Sequence, residues 1–389
     1  MFAGIGREVA IAPWNCDICE TNTCFVDTDF LLIHIHSRNV SASRTMQQST
    51  PIPPRKPLGP GPKDNGIDVR DYLQGDWPCV PIAVPSKSRE DLLCQQTLTM
   101  LRSYGYDMSS VHIFVDASAT RDDGTNEYDA YYHFLKTREF ATVQVHPGGK
   151  NLREQYARIF EFFQNTNEII LASDTVPRID WRPKKNNVEL KPLPKDWLVP
   201  VIRIGFDLCR SGGARAWSLA SCKAGLNLQP GHISQKCGLL CGNFCGVRMD
   251  VGPPIKMSVS DFTTDVEFSL RTWNQDGAMY RFLGIAASHK YRSRGGHRTG
   301  KTTSQTRYKA TCKAIQQLSR DFPKLIRYEG EQKKSATRMN YRFLQPGPGP
   351  LSFTGTFTSR GRKPTNGLRA QTPKERQRQS RLRKKQRRR

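Results

Sequence analysis

Cys79 to Arg89 reads CVPIAVPSKSR, an apolar run that ends abruptly in a polar, basic cluster. A short apolar run bounded by turn-forming residues is the signature of a buried strand. The unit recurs. VHIFV (Val111 to Val115) ends at Asp116, ATVQV (Ala141 to Val145) leads to Gly148-Gly149-Lys150-Asn151, and EIILA (Glu168 to Ala172) ends at Ser173-Asp174. Between the runs lie stretches with helical spacing. Arg89 to Tyr104 places Leu92, Leu93, Leu98, Met100 and Leu101 on a helix that Gly105 stops; Tyr128 to Thr137 and Asn151 to Asn165 are two more. This alternation predicts crossover connections and an α/β fold with a mostly parallel sheet flanked by helices. Farther along, residues 183–260 are rich in Gly, Pro and Cys and read as loops and short strands, and Thr306 to Arg320 reads as a helix.

Outside this region the composition changes. Residues 1–50 form an N-terminal extension in which Val26 to His36 has strand character. Pro51 to Asn65 (PIPPRKPLGPGPKDN) reads as linker, since Pro stiffens the chain and removes donors while Gly loosens it. The expected organisation is an extension over 1–50, a linker over 51–76, one folded domain over 77–345, and a disordered basic tail over 346–389. No uncharged apolar run reaches the roughly 18 residues that a membrane span needs. No basic start with an apolar stretch and a small-residue cleavage site opens the chain, which argues against secretion. Eleven Cys in that context read as reduced thiols, and the expected location is intracellular, nuclear in a eukaryotic cell.

The net charge is +25. Residues 360–389 hold 14 Lys/Arg and one acid, and residues 277–320 hold ten Lys/Arg and none. Such clusters attract phosphate-rich partners. In the second cluster Arg281, Arg292, Arg294, His297 and Arg298 interleave with His289 and Tyr291: cations that hold a nucleic-acid backbone and rings that stack on an extruded base. The same cations would equally suit a diphosphate, or simply face solvent. The tail KERQRQSRLRKKQRRR (Lys374 to Arg389) suits nucleic acid, nuclear import or anionic lipid.

In an open parallel sheet, ligands sit beyond the carboxyl ends of the strands. The polar clusters at Ser86 to Arg89, Asp116, Gly148 to Asn151 and Ser173-Asp174 all fall there. Helix N-termini attract phosphate, Lys87, Arg89 and Lys150 reinforce the attraction, and Asp116 would accept bonds from a nucleoside. The plainer reading is that polar residues follow every strand and cap helices. Cys16, Cys19 and Cys24, with His34 and His36 downstream, have partial zinc-ligand character, although the spacing departs from standard fingers. Cys237, Cys241 and Cys245 read as buried free thiols.

The ordered series of motifs resembles the TET/JBP-associated glycosyltransferase family, which is GT-A-like and therefore Rossmann-like, and includes the base J glucosyltransferase and phage relatives. The likeness runs from Trp77 to Leu344. It rests on Val84-Pro85-Ser86-Lys87-Ser88-Arg89, Gly148-Gly149-Lys150-Asn151, Asp174, the segment Gly238 to Gly246 (GLLCGNFCG), and Asp265-Val266-Glu267-Phe268-Ser269-Leu270-Arg271. It continues with Asp276-Gly277 followed by Arg281, then Tyr291 with Gly295-Gly296, and Phe322-Pro323. The resemblance implies transfer of a hexose, most simply glucose, from a UDP-sugar to a hydroxylated base in DNA. It assigns Ser86, Lys87, Arg89, Lys150 and Asn151 to the donor's diphosphate, Asp116 to its nucleoside, and Asp174 to a divalent Mn or Mg ion. One of Asp265 and Glu267 would take the acceptor's proton; on a strand the two share a face, and on a helix they diverge.

Two departures from that pattern bear on function. Ser173-Asp174-Thr175 stands where GT-A enzymes carry D-x-D, and Thr264-Asp265 stands where the family has an acidic pair. The alternatives are thus a non-catalytic nucleic-acid-binding protein on the same fold, and a transferase acting on protein or glycan.

Overall fold

The computed structural model describes residues 67–73, 75, 77–183, 189–220, 228–288, 304–331, 339–349 and 351–354. The candidate zinc ligands, residues 51–66 of the linker and the tail beyond Thr354 lie outside the described residues. The first half of the sheet runs β1 (Ile67–Asp68), β2 (Ile82–Ser86), α1 (Glu90–Leu93), a π-helical turn over Cys94–Leu98, α2 (Thr99–Ser103) and β3 (Val111–Asp116). It continues through α3 (Glu127–Lys136), β4 (Gln144–Gly148), α4 (Leu152–Phe162) and β5 (Glu168–Ala172). The second half comprises β6 (Ile179–Trp181), β7 (Lys191–Pro192), α5 (Leu198–Ser211), β8 (Ala216–Ala220), β9 (His232–Ser234) and β10 (Phe244–Arg248). After it come α6 (Thr264–Asp276), β11 (Tyr280–Ala287), α7 (Ser304–Asp321), the hairpin β12 (Ile326–Glu331) and β13 (Met339–Phe343), and β14 (Leu351–Thr354).

The fold is α/β, a central sheet flanked by helices. Strands follow the order β1-β14-β9-β11-β8-β10-β5-β2-β3-β4. The four strands read from the sequence pair in parallel, β5 with β2, β2 with β3 and β3 with β4. Beyond β5 the sense is mixed: β10 runs antiparallel to both neighbours, and β11 is parallel to β8. All six residues of β3 are buried, as expected for a strand covered on both faces. One face packs against α1–α2, α3 and α5, the other against α4, α6 and α7. No helix among the described residues is long and apolar enough to cross a membrane.

The winding sets the site. From β2 to β3 to β4 the connecting helices lie on one face. Then α4 returns across the other face to β5, on the far side of β2. The direction reverses between β2 and β5, and such a switch point opens a crevice outside the strand ends.

Three expectations need correction. First, Ala141 and Thr142 belong to a turn closed by the Val143 N–H to the Phe140 carbonyl at 3.0 Å, so β4 begins at Gln144. Second, residues 183–260 contain a 14-residue helix, α5, where only loops and short strands were expected. Its sequence LVPVIRIGFDLCRS confines its polar residues to one stripe, Arg203, Asp207, Arg210 and Ser211, and the rest of the helix is largely buried. Pro200 is tolerated in the first turn, where no intrahelical N–H bond is needed. Third, the domain is not confined to 77–345. β1 and β14 pair with each other, β14 pairs with β9, and the Cys237 N–H donates to the Pro346 carbonyl at 3.0 Å.

Trp217 of β8 is fully buried and lies between two glycines. A Cβ at Gly205 of α5 would sit 2.4 Å from its ring, and one at Gly246 of β10 would sit 2.1 Å from Nε1. The indole cannot retreat, so Gly246→Ala should cost about 1–3 kcal/mol by overpacking. Denaturant unfolding measures this directly, and an unchanged midpoint would show that the ring has room to move.

Candidate active site

Ser86 is the last residue of β2, and Asp174 lies two residues past β5. They meet at the switch point. The Ser86 hydroxyl donates to Asp174 Oδ2 at 2.9 Å, and Arg89 Nη1 donates to Asp174 Oδ1 at 3.2 Å. The ion pair is buried, with side-chain exposures of 10% for Arg89 and 6% for Asp174. Tyr131 of α3 completes the cluster: its hydroxyl lies 2.7 Å from Ser86 Oγ and accepts the Arg89 N–H at 2.8 Å. Burial pushes Asp174 above the ordinary carboxyl range, and Arg89 and Ser86 work against that rise. The loop that carries Asp174 is tied down by Thr97, in the π-helical turn. Its hydroxyl donates to the Ser173 carbonyl at 2.8 Å and accepts the Val176 N–H at 3.0 Å.

A cavity of about 150 Å³ opens here, lined among others by Ser86, Lys87, Arg89, Asp174, Asn243 and Asp265. Asp116 is not in the lining. It stands behind Lys87, whose Nζ lies 3.2 Å from Asp116 Oδ2 and 3.4 Å from the Lys150 carbonyl. Burial works to raise the Asp116 pKa, but the Ser118 hydroxyl and N–H together with Lys87 outweigh it and hold the group below its ordinary value.

Asp265 enters from the first turn of α6. Protein atoms crowd its carboxyl, which lines the cavity, and the residue as a whole stays half-buried. Burial raises its pKa from 3.8 to about 6, against the Gly242 N–H, which favours the charged form. No cation pairs with it among the described residues. Gly242 comes so close that a Cβ there would lie 2.7 Å from the Tyr156 hydroxyl and 2.8 Å from Asp265 Oδ1.

Glu267 is excluded as the base. Two residues apart on a helix, the side chains diverge. Glu267 is fully buried away from the lining, where it accepts the N–H groups of Ser258 at 2.8 Å and Val259 at 2.9 Å and pairs with Arg271 at 2.8 Å. Asn151 and Lys150 also have structural roles. Asn151 caps α4 reciprocally with Glu154, at 3.0 and 2.7 Å, and the Lys150 N–H donates to Glu154 at 3.1 Å. Gly148 and Gly149 are needed because Cβ atoms there would meet Gln155 at 2.1 Å and Glu154 at 2.2 Å.

Arg281 does not reach a nucleic acid. It is 7% exposed within β11, its Nη2 donates to Ser234 Oγ at 3.1 Å, and its guanidinium stacks on Gly238. Burial lowers its pKa to about 10. Arg292, Arg294, His297 and Arg298 lie outside the described residues. Cys237, Cys241 and Cys245 are buried free thiols, as expected. Tyr156, Leu152 and Asn243 line the cavity without having been singled out. The one signal for the first two was their spacing of one turn on α4, which reads equally as core.

Asp174 and Asp265 are the two carboxylates that a divalent ion in the cavity would meet. Both Asp174 oxygens already have partners in Arg89 and Ser86. No group of three or more His, Cys, Asp or Glu side chains converges as a metal site among the described residues. The residues present therefore do not fit such an ion without displacing Arg89.

No family model and no curated protein matches the chain. Among solved structures, the mannosyltransferase PcManGT from Pyrobaculum calidifontis, in complex with GDP-Man and Mn2+, is similar at 10% identity and a TM-score of 0.32, over 65% of this chain and 70% of that one. At that level no residue here takes its role from the comparison.

Because folded Asp265 holds its proton up to about pH 6, against an ordinary 3.8, the folded chain binds that proton more tightly than the unfolded one. Stability therefore falls as pH rises through this window, and the penalty is complete above it. Asp265→Asn removes the charge and keeps an acceptor for Gly242. It should stabilise the protein by roughly 3 kcal/mol at about pH 8 and change little at about pH 4. Thermal unfolding at the two pH values checks this, and an equal shift at both would contradict it.

Proposed function

We propose that the protein transfers a sugar from a nucleoside diphosphate sugar to a hydroxyl acceptor, with Asp265 as general base. One observation carries the reading. A crowded carboxyl without a cation shares a small cavity with Lys87 and Arg89, at the switch point of the sheet. A carboxyl kept unneutralised at a stability cost, beside fixed cations, is an arrangement found at reactive sites. It also disfavours the purely nucleic-acid-binding alternative, which has no use for it.

The chemistry follows from the residues. The acceptor oxygen attacks the anomeric carbon, and a C–O bond forms as the bond from that carbon to the diphosphate oxygen breaks. The electron pair leaves with the diphosphate, whose charge Lys87 and Arg89 meet by charge-assisted hydrogen bonds. The hydroxyl proton passes to Asp265. Asp174 and Ser86 hold Arg89 in place, and Asp116 does the same for Lys87.

In finer detail, we take the donor to be a UDP-hexose and the acceptor a hydroxylated base in DNA. The motif series supports the donor. Local charge supports the acceptor: besides the buried Arg281, residues 277–320 hold nine Lys/Arg and no acid. β11, within that stretch, points the same way as β5, so Ala287 ends at the cavity's edge of the sheet.

UDP should raise the unfolding temperature by mass action. UDP-glucose should be hydrolysed slowly, and faster with acceptor present. Asp265→Asn should lower kcat by about 10²–10⁴-fold with little change in UDP affinity. In the wild type, kcat/KM should fall as pH drops through about 6, as the base takes up its proton. A protein that neither binds UDP nor cleaves its sugar conjugates, with or without Mn²⁺, is not this enzyme. Mass spectrometry of nucleosides from treated DNA reads out the acceptor.

A further inference from the structure

The cations of the cavity sit on a strained turn. Ser88, between Lys87 and Arg89, has φ +50, a left-handed conformation that side chains other than glycine seldom adopt. Strain of this kind persists where surrounding structure over-determines it. Here the restraint is Glu127, the first residue of α3. Its carboxylate accepts the Ser88 N–H through Oε1 and the Ser88 hydroxyl through Oε2 at 3.2 Å. The Glu127 side chain is 1% exposed and does not line the cavity. Arg121 anchors it at 3.1 Å, and the same guanidinium grips both oxygens of Glu90 at 2.8 and 3.0 Å. Arg121 also lies over the Tyr131 ring, 5.7 Å from its centroid. The two residues flanking Arg89 are thus clamped from the same side by the connection between β3 and α3.

We infer that Glu127 is a positioning residue for the sugar donor: by holding Ser88 left-handed, it aims Lys87 and Arg89 at the donor's diphosphate. This rests on the transferase reading of the cavity. Glu127 touches neither donor nor reacting atoms. Without its hold the turn relaxes to an ordinary conformation, and the two cations no longer converge.

The test is calorimetric titration of full-length wild type, Glu127→Gln, Ser88→Gly and the double variant with UDP, together with steady-state kinetics on UDP-glucose. Glu127→Gln should weaken UDP binding by about tenfold and raise KM to match, while kcat at saturation stays within about threefold. Glycine adopts the left-handed conformation freely. Ser88→Gly alone should therefore stay within about threefold of wild type, and in its background Glu127→Gln should lose most of its effect. A merely structural glutamate would lower the unfolding temperature without this rescue. If Glu127→Gln does not fold, Ser88→Val, with Glu127 intact, should weaken UDP binding as much, because a β-branched residue resists positive φ. Unchanged affinity in Glu127→Gln or Ser88→Val, or an undiminished penalty in the glycine background, overturns the inference and leaves the transferase reading standing. Wild type that fails to bind UDP overturns both.

Discussion

The contact between Arg89 and Asp174, closed by Ser86 and Tyr131, is the constraint on which the rest of the molecule depends. It joins the ends of β2 and β5 where the winding of the sheet reverses. Two charges taken out of water gain little from each other unless their remaining hydrogen-bonding groups are satisfied. Here a hydroxyl from each of two elements shares that task, and the main-chain N–H of Arg89 is satisfied by the same tyrosine. Removing one charge would strand its partner. The arrangement is thus weak as a source of stability and strong as a means of orientation: it presents a guanidinium to the cavity before any ligand arrives, so little reorganisation remains for the reaction itself.

Asp265 is the counterpart on the other wall. Its nearest described neighbours are a glycine N–H and a tyrosine, and the approach of Gly242 leaves no space for a side chain between them. The cavity thus sets two cations, Lys87 and Arg89, beside a carboxyl that no cation among the described residues neutralises.

β2, β3 and β5 were legible because each is an apolar run closed by polar residues, and β5 begins and ends where EIILA does, whereas the edge strand β4, QVHPG, is half-exposed and its start was misplaced. The polar clusters at the strand ends converged for the same reason, since topology alone gathers them. Legibility failed where regional composition outweighed local period. α5 carries a polar stripe of Arg203, Asp207, Arg210 and Ser211 at helical spacing, but it lies in a stretch read as loops from its Gly, Pro and Cys content. Arg281 and Glu267 resemble surface charges in a string of letters, yet each is consumed by buried partners: Ser234, 47 residues away, for the first, and the N–H groups of Ser258 and Val259 in the preceding loop for the second. Choosing between Asp265 and Glu267 required knowing that they lie on a helix. Glu127 was invisible for a different reason. Its role depends on the backbone angle of a serine 39 residues earlier, and side-chain chemistry does not encode that angle.

The pairing of β1 with β14, Ile67 beside Phe353 and Asp68 beside Thr354, completes the sheet before the most cationic part of the sequence begins. Sheet and polycation are therefore consecutive in the sequence, and the charge of residues 360–389 can be rewritten without altering any residue of the described strands.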